Sequence, residues 1–126
     1  MDNIANRSID MYTIKQRKKD GYIDGISLCK VESKNLKEFL NLSSTKEFIT
    51  ELSISTSLSQ SELIRDNWLH PQLSLYLGCW LSPKITITVF EWIKQWLLND
   101  FPKEQELSSF NKALKQTLEF NPKDKG

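Results

Sequence analysis

The chain has 126 residues, 39% of them hydrophobic and 26% charged, with a formal net charge of +1. That size allows one domain around a single core, and that balance excludes an intrinsically disordered chain. No apolar run approaches the ~20 residues of a membrane-spanning helix, and residues 1–7 lack the basic-then-apolar order of a secretory signal.

Residues 11–14 (Met-Tyr-Thr-Ile) read as a strand and Tyr22-Ile23 as its partner, with Asp20-Gly21 supplying the positive φ of a tight hairpin. Arg17, Lys18 and Lys19 at that tip are expected to stay solvated and free to meet phosphate. Asp24 then reads as the N-cap of a short helix through Ile26, Leu28 and Cys29. A second helix over residues 35–40 takes Asn35 as N-cap and Glu38 at the capping-box position. It turns Leu36, Phe39 and Leu40 inward and leaves Lys34 and Lys37 outward. The two helices, separated by Val31-Glu32-Ser33-Lys34, have the layout of a helix-turn-helix unit. Ser44 and Glu47 repeat the capping-box spacing ahead of a stripe through Phe48, Ile49 and Leu52. The polar run of residues 53–61 reads as a loop. Leu63-Ile64 and Trp68-Leu69, joined by Arg65-Asp66-Asn67, read as a short hairpin, which is the place of a wing.

In the back half, His70-Pro71 puts proline at the first helical position, where its missing N–H costs nothing. Leu73, Tyr76, Leu77, Trp80 and Leu81 follow helical spacing despite Gly78. Ser82-Pro83 repeats the device, and Ile85, Val89, Trp92, Ile93, Trp96 and Leu97 form an unbroken stripe after it. Beyond Asn99 one more helix is expected, striped by Leu107, Phe110, Leu114 and Leu118.

Chemistry at a catalytic centre finds little support in these residues. His70 is the only histidine, and its place before a helix-starting proline among aromatic neighbours suits a structural role. There is no glycine-rich loop to cradle a nucleotide and no clustered carboxylates to hold a metal, so no enzyme activity and no cofactor is expected. Cys29 and Cys79 are too few for a disulfide scaffold or zinc site. Both are expected to be small buried hydrophobes in a reducing cytoplasm. Three of the four tryptophans sit on helix stripes and read as core.

The charge distribution says more. Between Thr13 and Lys46 the chain carries Lys15, Arg17, Lys18, Lys19, Lys30, Lys34, Lys37 and Lys46 against Asp20, Asp24, Glu32 and Glu38. A basic front half and a mildly acidic back half suit a one-sided electrostatic footprint. An ordinary solvated surface accounts for the charge equally well.

Several segments together resemble the KilA-N domain of phages, large DNA viruses and some bacteria. They are Asp20-Gly21-Tyr22-Ile23-Asp24-Gly25-Ile26, Leu28-Cys29-Lys30, Ser44-Thr45-Lys46-Glu47, Trp68-Leu69-His70-Pro71, Trp80-Leu81-Ser82-Pro83, and Val89 with Trp92-Ile93. The similarity covers about residues 13–97, and the W-H-P and W-S-P pair is its most specific part. KilA-N is related in fold to the APSES domain of fungal transcription factors, a winged helix-turn-helix variant. The resemblance implies an α+β domain over residues 11–98, with short strands, a helix-turn-helix-like unit and two packed C-terminal helices; residues 99–126 then form a C-terminal extension, expected to be helical from its own stripe. It also implies duplex DNA as partner, in a transcriptional regulator of phage or mobile-element origin. Arg17, Lys18, Lys19, Lys30, Lys34, Lys37, Lys46 and Arg65 are the DNA-binding residues expected. Asp24-Gly25 departs from the family's Asn-Ala and puts a carboxylate where an amide would be neutral toward phosphate. The alternative is an antirepressor-like protein-interaction module that self-associates through the tail helix.

Overall fold

The computed structural model describes residues 3–100. Its first element is a hairpin of β1 (Ile4–Ile9) and β2 (Tyr12–Arg17), paired from Ile9↔Tyr12 back to Ile4↔Arg17. Asp10, at φ 55°, makes the tight turn with Met11, which is 90% exposed. Met11 is therefore a turn residue and not the start of a strand as expected, and the sheet takes in six residues ahead of it. β2 continues to β3 (Ile23–Asp24) through the pair Gln16↔Ile23, as the Asp20-Gly21 turn implied. The β4 (Ile64–Arg65) and β5 (Trp68–Leu69) hairpin completes an antiparallel sheet in the order β1-β2-β3-β5-β4. Ile14 and Gln16, two apart and both buried, point to the core face by the period of the strand.

Two helices following β3, α1 (Gly25–Lys30) and α2 (Leu36–Leu40), are six and five residues long. Isolated helices need ~12 residues or more to persist in water, so tertiary packing holds these two. They bury Leu28, Leu36 and Phe39, and full burial of such side chains contributes roughly 1.5–3 kcal/mol each. Asn35 caps α2 through the Lys37 N–H alone, at 2.8 Å.

α3 (Ser43–Thr56) begins on Leu42 without any side-chain cap, so the Ser44/Glu47 box does not form. It also runs four residues into the stretch that reads as a loop. Its hydroxyls turn back onto the helix: Thr50 Oγ1 donates to the Lys46 carbonyl and Thr56 Oγ1 to that of Leu52. Polar side chains thus bond within the helix instead of breaking it. Ser57, at φ 61°, ends it. After it comes α4 (Gln60–Leu63), opened by a complete capping box in which Ser59 and Glu62 each satisfy the other's backbone N–H.

α5 (Pro71–Leu81) and α6 (Pro83–Asn99) start on proline as their sequences indicate, capped by His70 and Ser82. Ile85, Val89, Trp92, Ile93 and Trp96 are all buried, which is the expected stripe. Gly78 sits in α5 for a steric reason. A Cβ there would lie 3.2 Å from the backbone Cα of Thr86, so its absence lets the two helices approach. The family-like α+β architecture follows, with helices packed on a small sheet. The tail stripe of Leu107, Phe110, Leu114 and Leu118, and with it most of the proposed extension, lies outside the described residues.

The turn between β2 and β3 is clamped to α6. Trp96 Nε1 donates to the Lys18 carbonyl at 2.8 Å, and buried Gln16 donates to the Gly21 carbonyl while accepting from Arg7. Gly21 has φ 78°, and a Cβ on it would stand 2.7–2.8 Å from the Trp96 ring. Left-handed strain and overpacking therefore act together at this position. Gly21→Ala should destabilise the fold by about 2–4 kcal/mol, read as a lowered urea midpoint with unchanged slope.

Candidate functional site

The site is built around the junction of α1 with the β4–β5 hairpin. Asp24 ends β3 and caps α1, its Oδ1 accepting from the Ile26 and Ser27 backbone N–H groups at 3.1 and 3.2 Å. The same oxygen accepts from Asn67 Nδ2 at 2.7 Å, and Oδ2 accepts from Ser27 Oγ at 2.8 Å. The Gly25 N–H donates to the Asn67 carbonyl at 2.8 Å. Helix start and hairpin turn are thus one unit. Asp24 caps α1 as its sequence position indicates, and the carboxylate that replaces the family's amide has both oxygens occupied by donors of the protein itself.

The exit from α1 is equally defined. Ser33 takes the left-handed conformation at φ 55°, and the Lys34 N–H reaches back to the Cys29 carbonyl at 3.0 Å while Ser33 N–H bonds that of Lys30. This is the two-bond helix ending that usually employs glycine. It sets the direction in which α2 leaves, so α1, its connection and α2 form the expected helix-turn-helix-like pair.

Between these elements runs an open groove lined by Ile26, Lys30, Lys34 and Lys37, with Glu38 and Asp66 also on its walls. The structure thus brings three of the sequence-derived cations onto one surface. Lys34 Nζ lies 4.6 Å over the Trp80 ring, and all three lysines are exposed. The other five are distributed differently. Arg17, Lys19 and Arg65 line a second hollow, although Arg65 and Asp66 are neighbours in the chain. Lys46 is exposed on α3 and Lys18 is half-buried; neither lines either hollow.

Arg17 corrects the expectation of a fully solvated tip. Its guanidinium is ion-paired with Asp20 and lies 4.9 Å from the Tyr22 ring centroid and 5.2 Å from that of Trp68. It ties the β2–β3 turn to the hairpin. Of the three tip cations only Lys19 is exposed; Arg17 and Lys18 are half-buried. Sequence reasoning missed Ile26 and Asn67 as members of the junction. The only signal for them is position, next to a cap residue and at a hairpin turn.

Three further titratable groups, Cys29, Tyr22 and His70, are built into the core. Burial, with Asp24 nearby, pushes the Cys29 thiol up to about 11, as suits a small hydrophobe. Cys79 is exposed on α5, contrary to the expectation that both thiols are buried. Burial, aided by Asp20, pushes the Tyr22 hydroxyl up to about 12, and that hydroxyl donates to the Glu62 carbonyl at 2.7 Å. His70 is fully buried. Its Nδ1 accepts from the Gln72 N–H at 3.0 Å, capping α5, and its ring meets Tyr22 edge-on at 5.6 Å. That capping bond uses the neutral ring.

Comparison with known proteins gives a consistent picture. The KilA-N domain family profile matches residues 7–99. A KilA-N domain-containing protein of Acanthamoeba polyphaga mimivirus is 27% identical over 141 residues, covering 98% of this chain and 39% of the relative. A second KilA-N domain-containing protein of the same virus is 27% identical over 103 residues, covering 69% of this chain and 42% of the relative. The chain spans about two-fifths of the length of these curated relatives. No solved structure matches significantly.

The buried cap makes stability depend on acidity. Burial holds His70 down at about 4, so the unfolded chain takes up its proton first as pH falls. The contribution of neutral His70 is complete above about pH 6.5 and is lost as pH falls toward about 4, amounting to about 3 kcal/mol. Asparagine at this position can still cap but does not titrate. Urea unfolding at pH 7.5 and 4.5 should therefore show a larger acid loss, by about 2–3 kcal/mol, in the unaltered protein than in His70→Asn.

Proposed function

This chain belongs to the KilA-N family, many of whose members bind DNA, and on that premise we propose that it is a non-enzymatic duplex-DNA-binding protein. The observation that carries the reading is the convergence of Lys30, Lys34 and Lys37 on one groove beside α1 and the β4–β5 hairpin. Duplex DNA presents a dense row of phosphates, and binding releases the counterions condensed on them. Three ammonium groups on flexible stems suit that partner, since each neutralises a phosphate without demanding one geometry. The helix pair supplies a rigid element beside them, and the hairpin, fixed through Asp24 and Asn67, occupies the place of a wing.

In this reading the phosphate backbone lies along the lysines while the outer face of α1 meets base edges in the major groove. Lys19, Lys46 and Arg65, all exposed, add to the positive field around the contact without forming part of the groove. Arg17 acts on the protein side, holding turn and hairpin together. The module serves a transcriptional regulator of viral or mobile-element origin, working in the cytoplasm. No helix among the described residues is long and apolar enough to cross a membrane.

A salt titration of duplex binding tests this. With random-sequence duplex, log K for the unaltered protein should fall linearly with log salt concentration. The triple variant Lys30→Ala/Lys34→Ala/Lys37→Ala should lower the magnitude of that slope by about 3, roughly one unit per phosphate contact removed. Binding that ignores salt, or a slope that the three substitutions leave alone, would overturn the assignment.

A further inference from the structure

Ile26 is 47% exposed although it sits in the second position of a helix whose other aliphatic residue, Leu28, is fully buried. A single exposed apolar residue is ordinary on a protein surface, so exposure alone carries nothing. Its surroundings carry more. Lys30 follows one helical turn later, which puts both side chains on one face of α1. The same groove is lined by Lys34 and Lys37, and Leu36, which also lines it, is 8% exposed. Ile26 is thus an exposed aliphatic side chain in a groove that carries three lysines, with Glu38 and Asp66 on its walls.

It is also held rigidly. Its own backbone N–H donates to Asp24, whose carboxylate at once fixes Ser27 and Asn67, and Gly25 donates to the Asn67 carbonyl. A stiff β-branched side chain on an anchored turn has little freedom to withdraw into the protein. A phosphate held by Lys30 would therefore bring the DNA against the same face of α1 that carries Ile26. The major-groove edges of the bases display hydrogen-bonding groups and one prominent apolar group, the thymine 5-methyl.

We infer that Ile26 selects for thymine by packing against its 5-methyl group. The inference rests on the duplex-DNA reading proposed above and names the base that the α1 face prefers. Transfer of one methyl-sized group from water to apolar contact corresponds to about a fourfold change in affinity at full burial.

The test titrates the full chain at low salt against three duplexes of about 20 base pairs: alternating A·T, the same with deoxyuridine for thymine, and a random sequence. The expected result is roughly two- to fourfold tighter binding to the thymine duplex than to its deoxyuridine counterpart. That preference should disappear in Ile26→Ala, a change at an exposed position whose unfolding midpoint should match that of the unaltered protein. Equal binding to the thymine and deoxyuridine duplexes overturns the inference, as does a preference that survives Ile26→Ala or binding confined to the random sequence. Each of those outcomes leaves the duplex-DNA reading standing. Failure to bind any of the three overturns both.

Discussion

The carboxylate of Asp24 holds α1 and the β4–β5 hairpin together. α1 is too short to persist alone, and the β4–β5 hairpin has only two residues in each strand. Neither element could keep its position by its own backbone bonds. Asp24 accepts from two backbone amides of α1, one hydroxyl and the Asn67 amide, and hydrogen bonds to an ionised acceptor are roughly twice as strong as neutral ones. The negative charge also lies where the unpaired N–H groups of a helix start favour it. What reads in the sequence as an unfavourable substitution for the family's asparagine is thus an additional anchor.

Competition between partners decides which cations remain available. Arg17 has a carboxylate and two aromatic rings as neighbours, and each cation–π contact contributes about 0.5–2 kcal/mol depending on desolvation. Turning to a phosphate would forfeit all of these. Lys30 and Lys37 stand exposed on the α1–α2 groove, and a mobile ammonium there gives up little when it meets an anion. Arg17, the first cation of the most conspicuous charge run in the sequence, is therefore committed to cohesion, while Lys19 beside it stays exposed.

Much of this was legible in the sequence because it is written in local chemistry. Asp24 and Asn35 cap as their side chains dictate, Asp20-Gly21 turns, and Pro71 and Pro83 start the two long helices behind His70 and Ser82. Elements without such marks were not legible. β1 has the run Ala-Asn-Arg-Ser between its isoleucines, which carries little strand signal until β2 is beside it. The serine- and threonine-rich end of α3 reads as loop because hydroxyls usually compete with the helix, whereas Thr50 and Thr56 bond back to it. The capping box at Ser59 and Glu62 was present in the residues and was obscured by that polar run. Which lysines converge was out of reach, since it depends on the angle set at Ser33 and on a hairpin some thirty residues away in the chain.

The ammonium of Lys34 resting over Trp80 gives the protein a built-in optical gauge. Of its four tryptophans, Trp92 and Trp96 are enclosed in the core, while Trp80 is half-buried beside Phe39 at the edge of the cationic groove. An indole's emission responds to a point charge held close to its face, so drawing that charge away would alter the emission of Trp80, while Trp92 and Trp96 stay enclosed and Trp68 keeps its own cation, Arg17. An anion that drew Lys34 off the ring would therefore register in the emission of Trp80 without any label.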